Sequence, residues 1–147
     1  MKPDPTRFLE VAAGHLMARA APLLPAYEQS SASVIGLLLT AVAEEFGRAA
    51  ARRMDENRAL RALFAEAAAA VEDAALAARL REAAEGGDPD LRVEALEATN
   101  ADLRALLIEL HAHVEGLASE AARPIEEAIW SELVRSTERR RLTLQIF

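Results

Sequence analysis

The apolar positions of this chain recur at three- and four-residue steps, the period of helices buried along one side. Phe8, Leu9, Ala12, Leu16 and Ala20 line one face of a first short helix, for which Asp4 is the N-cap, Pro5 the first position and Pro22 the limit. The segment "PLLP" then turns the chain, and one of Ser30, Ser31 or Ser33 is expected to cap the next helix. "ASVIGLLLTAVAEEF" is apolar on every side for about ten residues, the mark of a helix at the centre of a bundle. Its stripe of Ile35, Leu38, Leu39, Val42, Phe46 and Ala49 stays in phase as far as Leu60. One long helix fits this pattern, and so do two helices separated at "DEN", Asp55 to Asn57.

Beyond that point Asp73 can cap a short helix that stops at "EGGDPD", Glu85 to Asp90, the clearest loop composition in the chain. A further helix is expected from Asp90 or Leu91 to about Ala121, with Thr99 and Asp102 offering an internal capping box. Pro124 opens a last one, Ile125 to about Arg140, carrying Ile129, Leu133 and Thr137 with Trp130 beside them. The tail "LTLQIF" alternates apolar and polar residues and is expected to lie against the bundle or a second subunit. The fold expected is all-α: one domain over residues 1–147, a bundle of four main helices with one or two short ones.

Composition sharpens this picture. Alanine supplies 34 of the 147 residues, and leucine, glutamate and arginine nearly half of the rest, a mixture that favours helix over strand. The 16 arginines against one lysine, Lys2, reflect a GC-rich coding bias. Cysteine is absent, which excludes disulfides, thiolate metal sites and a cysteine nucleophile. The net charge of -7 disfavours nucleic acid and anionic membrane as partners. The longest apolar run, Val34 to Ala43, falls well short of the roughly 20 residues of a spanning helix. Asp4, Glu10, His15 and Arg19 interrupt the N-terminal segment where a signal peptide would be clean. A soluble, cytoplasmic protein is expected. Its generous apolar supply in "VIGLLLTAVA", Trp130 and the tail suggests a homodimer.

Asn57 to Ala75, "NRALRALFAEAAAAVEDAA", aligns without gaps on Asn100 to Ala118, "NADLRALLIELHAHVEGLA", with ten identities in nineteen positions. A duplication would place the two segments about a pseudo-twofold axis. Helices drawn from few residue types also agree by chance, and both explanations stand at this stage.

Candidate chemistry is sparse. In "LIELHAHVEG", Leu107 to Gly116, a helix puts His111 and His113 on opposite flanks of a stripe formed by Leu103, Leu106, Leu107, Leu110, Val114 and Leu117, so the two cannot share an ion. The Glu-x-x-His pairs of a dimetal bundle and the zincin spacing are missing, as are phosphate loops and nucleophile elbows. No metal, cofactor or catalytic residue is expected. The nearest thing to a site is a polar pocket assembled from Glu45, at the edge of the apolar stripe, with Asn57, Asn100 and His111. Ion pairing of Glu44 and Glu45 with Arg48, and helix capping by the two asparagines, are simpler roles for these residues. Arg135, Arg139, Arg140 and Arg141 gather at a helix C-terminus, where they complement the dipole or meet a phosphate-bearing or acyl-carrier partner.

The runs "RAAARRMDENRALRALFAEAA" and "DPDLRVEALEATNADLRALLIELHAHVE" resemble a family of small uncharacterised helical proteins from GC-rich bacteria. The resemblance implies an accessory protein found beside aminoglycoside-phosphotransferase-like kinases and acyl-CoA dehydrogenases, and carries no catalytic residues with it. The function expected is therefore non-catalytic binding through helix surfaces, with a kinase-like protein as the partner. The alternative is a small-molecule or acyl-chain binding bundle, a weak enzyme, with its pocket near Glu45.

Overall fold

A computed structural model describes residues 4–117, 120 and 122–143. Among these residues the chain is all-α, with four main helices and a short N-terminal one: α1 (Pro5–His15), α2 (Ala26–Ala67), α3 (Ala74–Glu85), α4 (Val93–Leu117) and α5 (Arg123–Arg140). None of the described helices is long and apolar enough to cross a membrane. The residues group into two compact units, one of 1–49 with 142–147 and one of 50–141.

In the first unit the Asp4 carboxylate accepts hydrogen bonds from the Thr6 and Arg7 amides (3.1 and 3.3 Å), capping α1 as its sequence predicts. Beyond His15 the helix widens into a π turn over Leu16–Ala20 and tightens into a 3-10 turn over Ala21–Leu23, so it is spent before Pro25. α2 begins at once after that proline, whose carbonyl accepts the Gln29 amide at 2.8 Å. The serine expected to cap α2 does not. Ser31 and Ser33 lie inside the helix and donate their hydroxyls to the Tyr27 and Gln29 carbonyls.

The same helix corrects the expectation that "VIGLLLTAVA" sits at a bundle's centre. Ala32, Gly36 and Ala43 form the covered side of α2, and a Cβ added at Gly36 would collide with the Met17 side chain. A glycine at this point lets the π turn approach closely. Val34, Ile35, Leu38, Val42 and Phe46 point elsewhere and remain 51–59% exposed. Further along, Glu44 accepts the Thr143 amide (2.9 and 3.1 Å) and hydroxyl (2.8 Å) as well as Arg48 at 2.8 Å. The amide and hydroxyl of Thr143 hold the Glu44 carboxyl below its ordinary range. Thr143 thus ties the start of the tail to its own chain, and Gln145 to Phe147, with Leu144, lie outside the described residues.

α2 runs unbroken through Asp55–Asn57, which answers the question of one helix or two: its 42 residues make one helix about 63 Å long. In the second unit its C-terminal part packs with α3, α4 and α5 around Leu60, Phe64, Leu80, Leu106, Leu110, Val114 and Ile129. Asp73 caps α3 through the Ala75 and Leu76 amides (2.9 and 3.0 Å), and these N–H groups lower its pKa, that of Leu76 most. α4 starts at Val93, slightly later than its pattern suggests, and Thr99 donates to the Ala95 carbonyl inside a continuous helix rather than opening a capping box. The stripe of α4 is buried from Leu103 to Val114, and Leu117 emerges at its end.

The two similar segments are buried in step. Asn57, Leu60, Leu63, Phe64, Ala67 and Val71 are buried on α2 and just beyond it, and so are their counterparts Asn100, Leu103, Leu106, Leu107, Leu110 and Val114 on α4. Asn100 Nδ2 donates to Asn57 Oδ1 at 2.9 Å, so the first residues of the two segments meet each other. The likeness ends there: past Ala67 the first segment leaves the helix and Asp73 caps α3, whereas the second stays helical to Leu117.

Candidate functional site

Two groups of side chains in the second unit decide whether it holds a reactive pocket. The first is built on Asn57, which is fully buried. Besides accepting from Asn100, its amide donates to Asp88 Oδ1 (3.0 Å) and to the Leu96 carbonyl (3.3 Å). Asp88 is also gripped by Arg61, whose two terminal nitrogens lie 3.0 Å from its two oxygens, and Arg61 reaches the Gly87 carbonyl at 3.0 Å. The Arg61 hydrogen bonds outweigh partial burial and hold the Asp88 carboxyl below its usual range. The pair Asn57 and Asn100 therefore caps no helix end. It joins α2 to α4, and Asn57 with Arg61 fastens the "EGGDPD" loop to α2.

The second group contains two buried carboxylates absent from the sequence-based candidates. Glu56, on α2, is 2% exposed and accepts Arg140 through both oxygens (2.8 and 2.7 Å) and the Ser136 hydroxyl at 3.3 Å. Burial pushes its pKa up, but the hydrogen bonds and charge of Arg140, aided by Arg52, prevail and leave it lowered. Glu132, on α5, is 3% exposed and pairs with Arg139 and, at 3.4 Å, Arg135. A signal for both exists in the spacing: Glu132 falls in phase with Ile125, Ile129 and Ser136, and Glu56 lies four residues before Leu60. The arginines at the end of α5 thus pair with carboxylates of their own chain, closely for Arg139 and Arg140 and at 3.4–3.5 Å for the exposed Arg135 and Arg141.

Between these groups Glu56, Asn100, Arg104, Glu132 and Ser136, with Leu60, Leu107 and Leu133, enclose about 10 Å³, room for a single water. That cavity is too small for an acyl chain, but open clefts of about 380 Å³, beside Arg61, Arg79, Glu82, Thr99 and Asp102, and about 180 Å³, beside Leu63, Ala67, Ala70, Pro124 and Ile125, lie elsewhere on the same unit. Glu45 belongs to the first unit and is half-buried, whereas Asn57, Asn100 and His111 belong to the second. His111 does not line the small cavity. Its ring meets Trp130 edge-on, with centroids 5.3 Å apart and planes at 89°, and its Nε2 lies 3.5 Å from Glu115. Glu109 pairs across to Arg79 on α3 (2.5 and 3.0 Å), not to His113. Among the described residues no three His, Asp or Glu side chains cluster as metal ligands would.

Among the described residues several large apolar side chains are also exposed. On α5, Trp130 (52% exposed) and Val134 stand one turn apart. On α4, Ile108 is exposed, and His111, one turn on, meets the Trp130 ring. On α2, the five exposed residues from Val34 to Phe46 form a separate stripe in the first unit. No family model, curated protein or solved structure matches the chain.

Proposed function

We propose that this is a non-catalytic accessory protein that works by binding another protein through its helix surfaces, with a kinase-like protein as the partner. The reading also takes the chain to be a homodimer in a cytoplasmic setting, with no nucleic acid or membrane among its partners. The observation that carries it is the exposure of Trp130 and Val134 one turn apart on α5, with the Trp130 ring held against His111 of α4. Tryptophan held rigidly at a surface is the residue type that most often dominates a protein–protein contact. The buried acids Glu56 and Glu132, which would be the groups to suspect of catalysis, are spent on Arg140, Arg139 and Arg135. The kinase-like identity of the partner rests on the family resemblance, and the net charge of -7 supports a partner other than nucleic acid.

The test is calorimetric titration of the purified chain with an aminoglycoside-phosphotransferase-like kinase from the same genome. Binding is expected, and Trp130→Ala or Val134→Asp should weaken it at least about tenfold. If the unaltered chain shows no heat of binding, or both variants bind as tightly as it does, the reading fails.

A further inference from the structure

The side chains of α2 in the first unit are arranged the opposite way from those of a helix in a self-sufficient fold. Its small residues, Ala32, Gly36 and Ala43, are the covered ones, and its large ones, Val34, Ile35, Leu38, Val42 and Phe46, are open, as is Tyr27 two turns before Val34. Together the six large side chains expose on the order of 700 Å², taking whole side chains at roughly 200 Å² each. A monomer's largest apolar patch is usually about 300–600 Å², and a standard interface buries about 800 Å² per partner, so this stripe is the size of an interface.

We infer that the stripe is covered by a second copy of this chain, α2 against α2, antiparallel, about a twofold axis beside Leu38. This rests on the homodimer reading above and gives it a face and an axis. Two features select a copy over a different protein. No charged residue occurs from Gln29 to Ala43, and a twofold at Leu38 sets the flanking Glu28, Glu44 and Glu45 level with Arg48, Ala32 and Ser31, so the stripe meets its own duplicate without the like-charge repulsion that a self-pairing must avoid. Its residues are also disposed evenly about Leu38, with Val34 one turn before and Val42 one turn after. A twofold there sets Leu38 against its own duplicate and brings Val34 of each chain level with Val42 of the other, the self-complementary arrangement of a closed dimer. Burying this much uncharged aliphatic and aromatic surface is what gives obligate homodimers their core-like interfaces.

The absence of cysteine makes the axis directly testable. Leu38→Cys introduces the only thiol, at a site more than half exposed, and mild oxidation or a short bismaleimide should link two chains through it. Ala112→Cys, on an exposed face of α4, should give little linked product under the same treatment. Sedimentation of the unaltered chain at micromolar concentration should give twice the 15.9 kDa chain mass, and Leu38→Glu should halve the mass while leaving the helical circular dichroism intact. A monomeric unaltered chain overturns both the inference and the homodimer reading. A dimer that survives Leu38→Glu, or whose Leu38→Cys variant links no better than its Ala112→Cys variant, overturns the α2 interface alone. Trp130→Ala should leave the dimer unchanged, so a dimer that binds no kinase-like protein sinks the accessory role and spares the interface.

Discussion

Replacing Asn57 with leucine probes the polar centre of the second unit most severely. The substitution keeps the volume and removes the amide, so it deprives Asn100 Nδ2 of its acceptor and Asp88 of one donor at a fully buried position. A stranded buried amide costs about 1–3 kcal/mol and a lost hydrogen bond to a charged group about 1.5–3 kcal/mol, against a gain of about 1 kcal/mol from the apolar side chain. The net expectation is a loss of about 3 kcal/mol, a fall in melting temperature near 10 °C for a chain of this size. Trp130, the sole tryptophan and a member of the second unit, reports the unfolding of that unit in urea. Asn57→Leu with Asn100→Leu removes both amides, so the double variant should be at least about 1 kcal/mol more stable than the two single losses added together predict. Strict additivity, or single losses under about 0.5 kcal/mol, would refute the claim that the two amides serve each other.

Acid should weaken the second unit. The Asp88 and Glu56 carboxyls have folded pKa values below their unfolded ones, so their contribution is complete above the ordinary carboxylate range, about pH 4, and disappears as the pH drops through the lowered values. Urea midpoints followed at Trp130 should decline below about pH 4, and Asp88→Asn should decline less steeply. Asp4→Ala should cost about 1 kcal/mol locally and appear as faster amide exchange in the first turn of α1, with the second unit unaffected. Gly36→Ala gains helix propensity but drives a methyl against Met17. In a Met17→Ala background the same change should stabilise by up to about 1 kcal/mol, read by thermal melts, and it should gain less when Met17 is present.

Much of the architecture is legible in the sequence because it depends on period and on local capping chemistry. Asp4, Asp73 and the proline at the head of α5 act where the sequence puts them, and the α4 stripe from Leu103 to Val114 is buried as its spacing demands. The start of α2 misleads because three serines outweigh one proline on paper, although the proline's fixed geometry begins the helix sooner. Apolar richness from Val34 to Ala43 suggests central burial, but hydrophobicity states only that a surface seeks cover, not whether its own chain provides it. Glu56 and Glu132 carry a burial signal in their spacing that is easily overridden because charge ordinarily marks solvent, and the arginine that makes the burial of Glu56 tolerable comes from the end of α5, 84 residues away. Asn57 and Asn100 stand out in the sequence at matching places in the similar segments, which offers both a shared polar pocket and helix capping, and only the packing of α2 on α4 selects their meeting.

The clasp between Thr143 and Glu44 spans 99 residues, and every residue of the second unit lies inside that loop. Closing so long a loop carries an entropic toll that shrinks once the intervening chain has become compact. The order of assembly is thereby biased: residues 50–141 condense early, and the grip on Glu44 arrives as a late event in folding. A substitution that slows the inner core should accordingly delay the fastening of Thr143, whereas loss of the Thr143 hydroxyl should leave the inner core's folding rate as it was.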